Sequence, residues 1–203
     1  MSSSTEAPLR FVGGRLALDF VNTFPVNADL SWNQLIVFLE SARIVTPERG
    51  SELRALSHSD PQAAEMLLRK GQRLGSALRM AFDALLHRQR MLPEWIEPVN
   101  EILRITEGHD ELVFTDHELE IEFVAREGGL EWLLAAVARS GAEIVAEGTR
   151  ARLRVCANPH CGFFFYDTSR THRRRWCSMT LCGNRSKVAA FARRHASAHH
   201  SKA

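Results

Sequence analysis

No stretch of this 203-residue chain approaches the ~18 uninterrupted apolar residues of a membrane-spanning helix, so a spanning segment is excluded. Residues Met1 to Pro8 lack a basic run followed by an apolar one; no secretory signal is expected, and cytoplasmic residence follows as the expectation. There is no internal repeat of fixed period and no heptad seam, which sets aside solenoids and coiled coils. Cysteine is missing from everything before Cys156, and acid is nearly missing from everything after Gly148. What remains is ordinary for a globular protein: 45% hydrophobic and 25% charged residues exclude a disordered or fibrous chain. The length allows one large domain or a medium domain with a small module.

The formal net charge of +2 conceals a division. Residues 1–149 carry 14 Lys+Arg against 23 Asp+Glu, a net −9, whereas residues 150–203 carry 12 basic residues against the single acid Asp167, a net +11. Two units with different tasks are expected, 1–149 and 150–203, the second facing a polyanion.

The acidic unit reads as mainly helical. Ser31 caps a helix whose buried face is Leu35, Ile36, Phe38 and Leu39, Pro47 opens the next, and Asp60-Pro61 starts the longest run. Along that run Ala64, Leu67, Leu68, Leu74, Leu78, Ala81, Phe82, Leu85 and Leu86 line one face. Gly71 and Gly75 cost it about 1 kcal/mol each but allow another helix to approach closely. A further helix follows Pro93. Leu112 to Phe114 and Leu119 to Val124 predict a small hairpin, and Leu130 begins a last helix that Gly148 stops.

All four cysteines fall in the basic unit. Cys156 and Cys161 enclose four residues, Cys177 and Cys182 enclose four, and fifteen lie between the pairs. In a reducing compartment such a cluster supplies thiolate ligands rather than disulfides, and two close pairs joined by a loop complete the tetrahedral shell that zinc favours. Arg152 to Val155 and Gly162 to Tyr166 predict strands around the first pair, and the second pair leads into a helix with an apolar stripe at Val188, Phe191 and Ala192. The fold class is therefore α+β: a mainly α body with a small hairpin, plus a treble-clef-like zinc finger at the C-terminus and a frayed tail. A core for so short a segment is thin; structural zinc, which supplies on the order of 10–16 kcal/mol of apparent binding energy, makes up the difference.

Arg174-Arg-Trp-Cys-Ser-Met179 followed by Cys182-Gly-Asn-Arg-Ser-Lys-Val188, with Cys156 and Cys161 upstream, resembles the CGNR zinc finger. Gly13-Gly-Arg-Leu-Ala-Leu-Asp-Phe-Val-Asn-Thr23 resembles the opening of the ABATE domain, which commonly precedes that finger in bacterial transcription regulators. Together the resemblances cover nearly the whole chain, and they imply a stress-linked regulator with a DNA-binding finger and structural zinc.

Around the cysteines, Arg170, Arg173, Arg174, Arg175, Arg185, Lys187 and Arg194, with Trp176 among them, suit phosphate contacts to double-stranded DNA, the loop gripping backbone and the helix entering a groove. The competing reading is a basic face that docks on acidic protein surfaces, the chain's own acidic unit included. Asn184 either reaches a base edge or caps the helix. Asp19, Asn22 and Thr23 either line a small-molecule pocket in a sensor domain or make hydrogen bonds within the fold. The acidic unit serves sensing or dimerisation, and a homodimer is one expected assembly. A metal-dependent nuclease is a distant third: the finger offers His160 and His172, but Asp167 is its lone hard oxygen ligand, so no enzyme is expected.

Overall fold

In the computed structural model, residues 9–25, 30–105, 108–114, 119–125, 129–189 and 191–192 are described. Six α-helices form the acidic part: α1 Leu16–Thr23, α2 Trp32–Ser41, α3 Pro47–Ser59, α4 Pro61–Leu86, α5 Pro93–Ile105 and α6 Ala135–Glu147. Their starts follow local chemistry. Ser31 and Gln34 make a reciprocal capping box on α2, Thr46 caps α3 with Pro47 behind it, and the Asp60 carboxylate accepts the Ala63 N–H to open α4. A 3₁₀ turn, Glu131–Leu134, leads into α6, so the continuous helix expected from Leu130 begins with a tighter first turn. Gly148 ends α6 at φ 57, in the left-handed region that favours glycine.

The long helix α4 buries the face its spacing predicts, with Leu67, Leu74, Leu78, Ala81 and Phe82 inside. At Gly75 a Cβ would stand 3.3 Å from the Phe20 ring, so this glycine lets α1 lie close against α4. Phe20, Phe24 and Phe38 interlock edge-on nearby, and each fully buried apolar side chain stabilises the core by about 1.5–3 kcal/mol. Strands β1 Gly108–Phe114 and β2 Leu119–Ala125 form an antiparallel hairpin with Leu112 opposite Ile121. Its turn at Asp116 and His117 lies outside the described residues.

The basic part adds a second antiparallel pair, β3 Leu153–Val155 and β4 Phe164–Tyr166, with Arg154 opposite Phe165. A π turn, Met179–Gly183, then runs into a helical segment described at 184–189 and 191–192. The mostly helical region and the small hairpin beside a four-cysteine cluster match the α+β expectation. Leu153, Phe164 and Tyr166 belong to the same apolar core as Phe20, Leu78 and Phe82. Phe165 points the other way, into a smaller cluster with Cys156, Cys177 and Cys182. The stripe on the last helix does not join either core: Val188 is 68% and Phe191 57% exposed.

Candidate metal centre and nucleic-acid interface

Strand β3 delivers Cys156 to the first knuckle, where its N–H donates to Phe163 O at 2.9 Å across the hairpin. The chain then turns on Asn158, whose carbonyl accepts the Cys161 N–H at 2.9 Å and whose buried side chain accepts the His160 N–H at 3.1 Å. The second knuckle turns on Ser178: its carbonyl accepts from both Cys182 and Gly183, and its hydroxyl accepts from Leu181, so Ser178 fills the capping role considered for Asn184. Ala157 donates to Arg175 O at 2.8 Å and so ties the two knuckles together.

This places all four sulfurs within 4.8 Å of one another. Cys177 Sγ lies 3.7 Å from both Cys161 Sγ and Cys182 Sγ. Tetrahedral zinc with bonds of about 2.3 Å requires sulfurs about 3.8 Å apart, whereas a disulfide requires about 2.05 Å. The donor set and its spacing therefore fit zinc, and among the described residues neither His160 nor His172 enters the cluster. Burial pushes the Cys161 thiol up to about 11, and burial together with the neighbouring Cys161 pushes Cys177 higher still. Cys182 is also penalised by burial, yet the Asn158 side chain and the adjacent thiols bring it below the ordinary thiol value. Zinc binding to the group expels protons, and its binding energy becomes folding energy for the knuckles.

A second frame stands behind the cysteines. Asp167 is fully buried and accepts from Ser169 N and Oγ at 3.0 and 2.6 Å and from Arg174 N at 3.0 Å, while Arg154 Nε pairs with it at 3.0 Å. Burial alone raises its pKa; these donors outweigh that and hold it below the usual carboxylate range. Arg174 turns inward. Its Nε donates to Trp176 O at 2.8 Å, its Nη2 donates to Cys177 O, and its guanidinium lies 5.0 Å from the Phe165 ring centre.

The N-terminal glycine motif meets the finger directly. Tyr166 N donates to Gly13 O at 2.7 Å, and Gly13 N donates to the buried Asp19 carboxylate at 2.7 Å. A Cβ on Gly13 would stand 2.7 Å from Leu18 Cβ, and Gly14 has φ +73, so both glycines are needed for this approach. The Asn22 amide donates to Phe164 O at 2.8 Å and its oxygen accepts the Phe164 N–H at 2.9 Å, which satisfies a buried strand residue twice. Glu147 accepts from the Tyr166 hydroxyl, and Arg15 lies over the Tyr166 ring while pairing with Glu147 at 3.6 Å. Thr23, the third residue of the ligand set proposed from sequence, is half-buried at the end of α1.

Residues 14–148 match the ABATE family model, whose description reads "Putative stress-induced transcription regulator", and residues 152–195 match the CGNR zinc finger. The chain belongs to the ABATE family. No curated protein matches it. The ABATE match ends at the Gly148 stop of α6, and the CGNR match opens just before β3, so the four clustered thiols are the structural zinc site of a CGNR finger.

Within the CGNR finger the cations divide. Arg170, Arg173, Arg175, Arg185 and Lys187 are exposed, and among the described residues none of them makes an ion pair with any acid of the ABATE region. Arg175 stacks on the half-buried Trp176 ring at 5.2 Å. Asn184 is exposed in the last helix, and Arg194 lies outside the described residues. An open cleft of about 490 Å³ beside this surface is lined by Leu86, Arg152, Arg154, Val155 and His172 among others. Sequence reasoning missed three framing residues, Asn158, Asp167 and Arg174. Asn158-Pro159 carried a turn signal, but nothing local marked the other two as internal.

Among the described residues, no helix is long and apolar enough to cross a membrane.

Proposed function

We propose that this ABATE-family protein is a non-enzymatic transcription regulator whose zinc-framed finger binds double-stranded DNA. In this reading Arg170, Arg173 and Arg175 in the loop between the ligand pairs hold phosphates, and Arg185 and Lys187 hold phosphates from the last helix. Arg174 and Trp176 support that loop from inside, Asn184 faces the duplex, and Arg194, outside the described residues, adds a further cation for the phosphates. The observation that carries the reading is the set of five exposed cations without ion pairs, held on a scaffold whose one carboxylate, Asp167, is already committed to Ser169, Arg174 and Arg154. A committed, buried Asp167 also counts against a metal-dependent nuclease. Docking on the chain's own acidic surface is disfavoured because those cations make no ion pair with it among the described residues.

The helical ABATE part serves as a sensing or dimerisation unit, and the protein works in the cytoplasm, with a homodimer as the natural form on symmetric DNA. The in-chain hydrogen bonds of Asp19 and Asn22 favour a joining role for them over the lining of a ligand pocket. The test is fluorescence anisotropy of the zinc-loaded full chain with a labelled duplex. Arg173→Ala is expected to weaken binding to all sequences alike and to lower the magnitude of the log–log salt slope by about 1. A slope and an affinity unchanged by Arg173→Ala, Arg175→Ala and Arg185→Ala together would contradict the reading.

A further inference from the structure

The exposed side of the last helix carries an ordered chemistry that the phosphate contacts do not use. At about 100° of rotation per residue, Asn184, Val188 and Phe191 fall within about 60° of one another. Arg185 lies on one flank of that stripe and Lys187 on the other. Ser186, half-buried, marks the opposite side as the one turned to the protein. Along the stripe Val188 is 68% exposed, Phe191 is 57% exposed, and the exposed Asn184 side chain makes no hydrogen bond among the described residues.

The charge of the flanks selects a partner. Cations on both sides of a narrow amide-and-apolar stripe complement a groove with a phosphate strand on each side. The major groove, about 12 Å wide, admits one helix. At its floor adenine offers N7 and N6–H₂ to a side-chain amide in a bidentate pair, and thymine offers a C5-methyl group to apolar side chains. Guanine and cytosine offer neither the adenine pair nor the methyl. We propose that the stripe of Asn184, Val188 and Phe191 reads A·T base pairs in the major groove, Asn184 pairing with adenine and Val188 and Phe191 packing on thymine methyls. This rests on the DNA-binding reading and adds a base preference to it.

The experiment uses the zinc-loaded full chain. A duplex library randomised over ten positions is selected for binding, and the enriched duplex is then remade with uracil for thymine, which deletes only the methyl groups. Enrichment of A·T pairs is expected, with about a tenfold loss of affinity on replacing thymine by uracil at contacted positions. Asn184→Ala is expected to reduce the preference for the enriched duplex over a G·C-substituted one by about tenfold, and Val188→Ala to reduce the sensitivity to uracil. Salt-dependent duplex binding without base preference, or with a preference indifferent to uracil and to Asn184→Ala, overturns the base reading and leaves DNA binding standing. No duplex binding at low salt overturns both.

Discussion

Among the described residues, Asp19 is a buried carboxylate with no cation paired to it. Burial is the largest influence and raises its pKa from 3.8 to about 6, although the backbone N–H groups of Gly13 and Val12 pull the other way. A raised folded-state value means that the protonated form is the better one for folding. The associated stability is complete below the unfolded value near 3.8 and is lost as pH rises through about 6. Asp19→Asn keeps an oxygen for the Gly13 N–H and removes the charge. It is expected to flatten stability between pH 4 and 7 and to raise neutral-pH stability by on the order of 1–3 kcal/mol, read by denaturant unfolding at several pH values. An unaltered pH profile would contradict the burial of a charged group there. Asn22 works by shape and hydrogen bonding. Asn22→Ala leaves both polar groups of Phe164 unpaired, and a loss of about 2–4 kcal/mol is expected, with faster amide exchange at Phe164.

At the level of elements, what could be read from sequence was what neighbours in sequence decide. Ser31, Thr46 and Asp60 cap helices through groups three residues ahead, and the Cys-x4-Cys pairs close over a few residues. The sequence leaves the roles of Asp19 and Asn22 open between two readings because the partner strand of Asn22 lies 142 residues away. Arg174 looked like one more basic residue in a basic loop. Its carbonyl partners, Trp176 and Cys177, curl back beneath it, and Phe165 and Asp167 hold it from the other side. The apolar stripe at Val188 and Phe191 was legible as a stripe, but its exposure was not, since helical periodicity reports a shared face and not what covers it. The hairpin β3–β4 is the element with two allegiances, Phe164 toward the helices and Phe165 toward the cysteines. Chelation of zinc is therefore expected to release the knuckles at 156–162 and 176–183 first, seen as lost amide protection, and to lower the melting temperature of the whole chain through the shared core. Unchanged protection after full zinc removal would contradict the structural role of the metal.

For the whole molecule, the near-zero net charge is a cancellation between two surfaces that the fold holds on one body. The helical part carries the acid, and among the described residues its ion pairs, such as Lys70–Glu131 and Arg54–Glu40, stay within it. The finger carries the cations, and its buried acid, Asp167, is spent inside. The Gly13–Tyr166 and Asn22–Phe164 links join the ABATE body to the finger at β4. The most direct test of this account is the affinity of the full chain for a short duplex as a function of salt, measured with zinc bound and after its removal. With zinc, five phosphate contacts predict a fall of log affinity with log salt at a slope of about −4.5, and the slope is expected to shrink markedly once the knuckles are released. A flat salt dependence, or a slope that zinc removal leaves unchanged, would contradict the claim that the metal frame presents these cations to DNA.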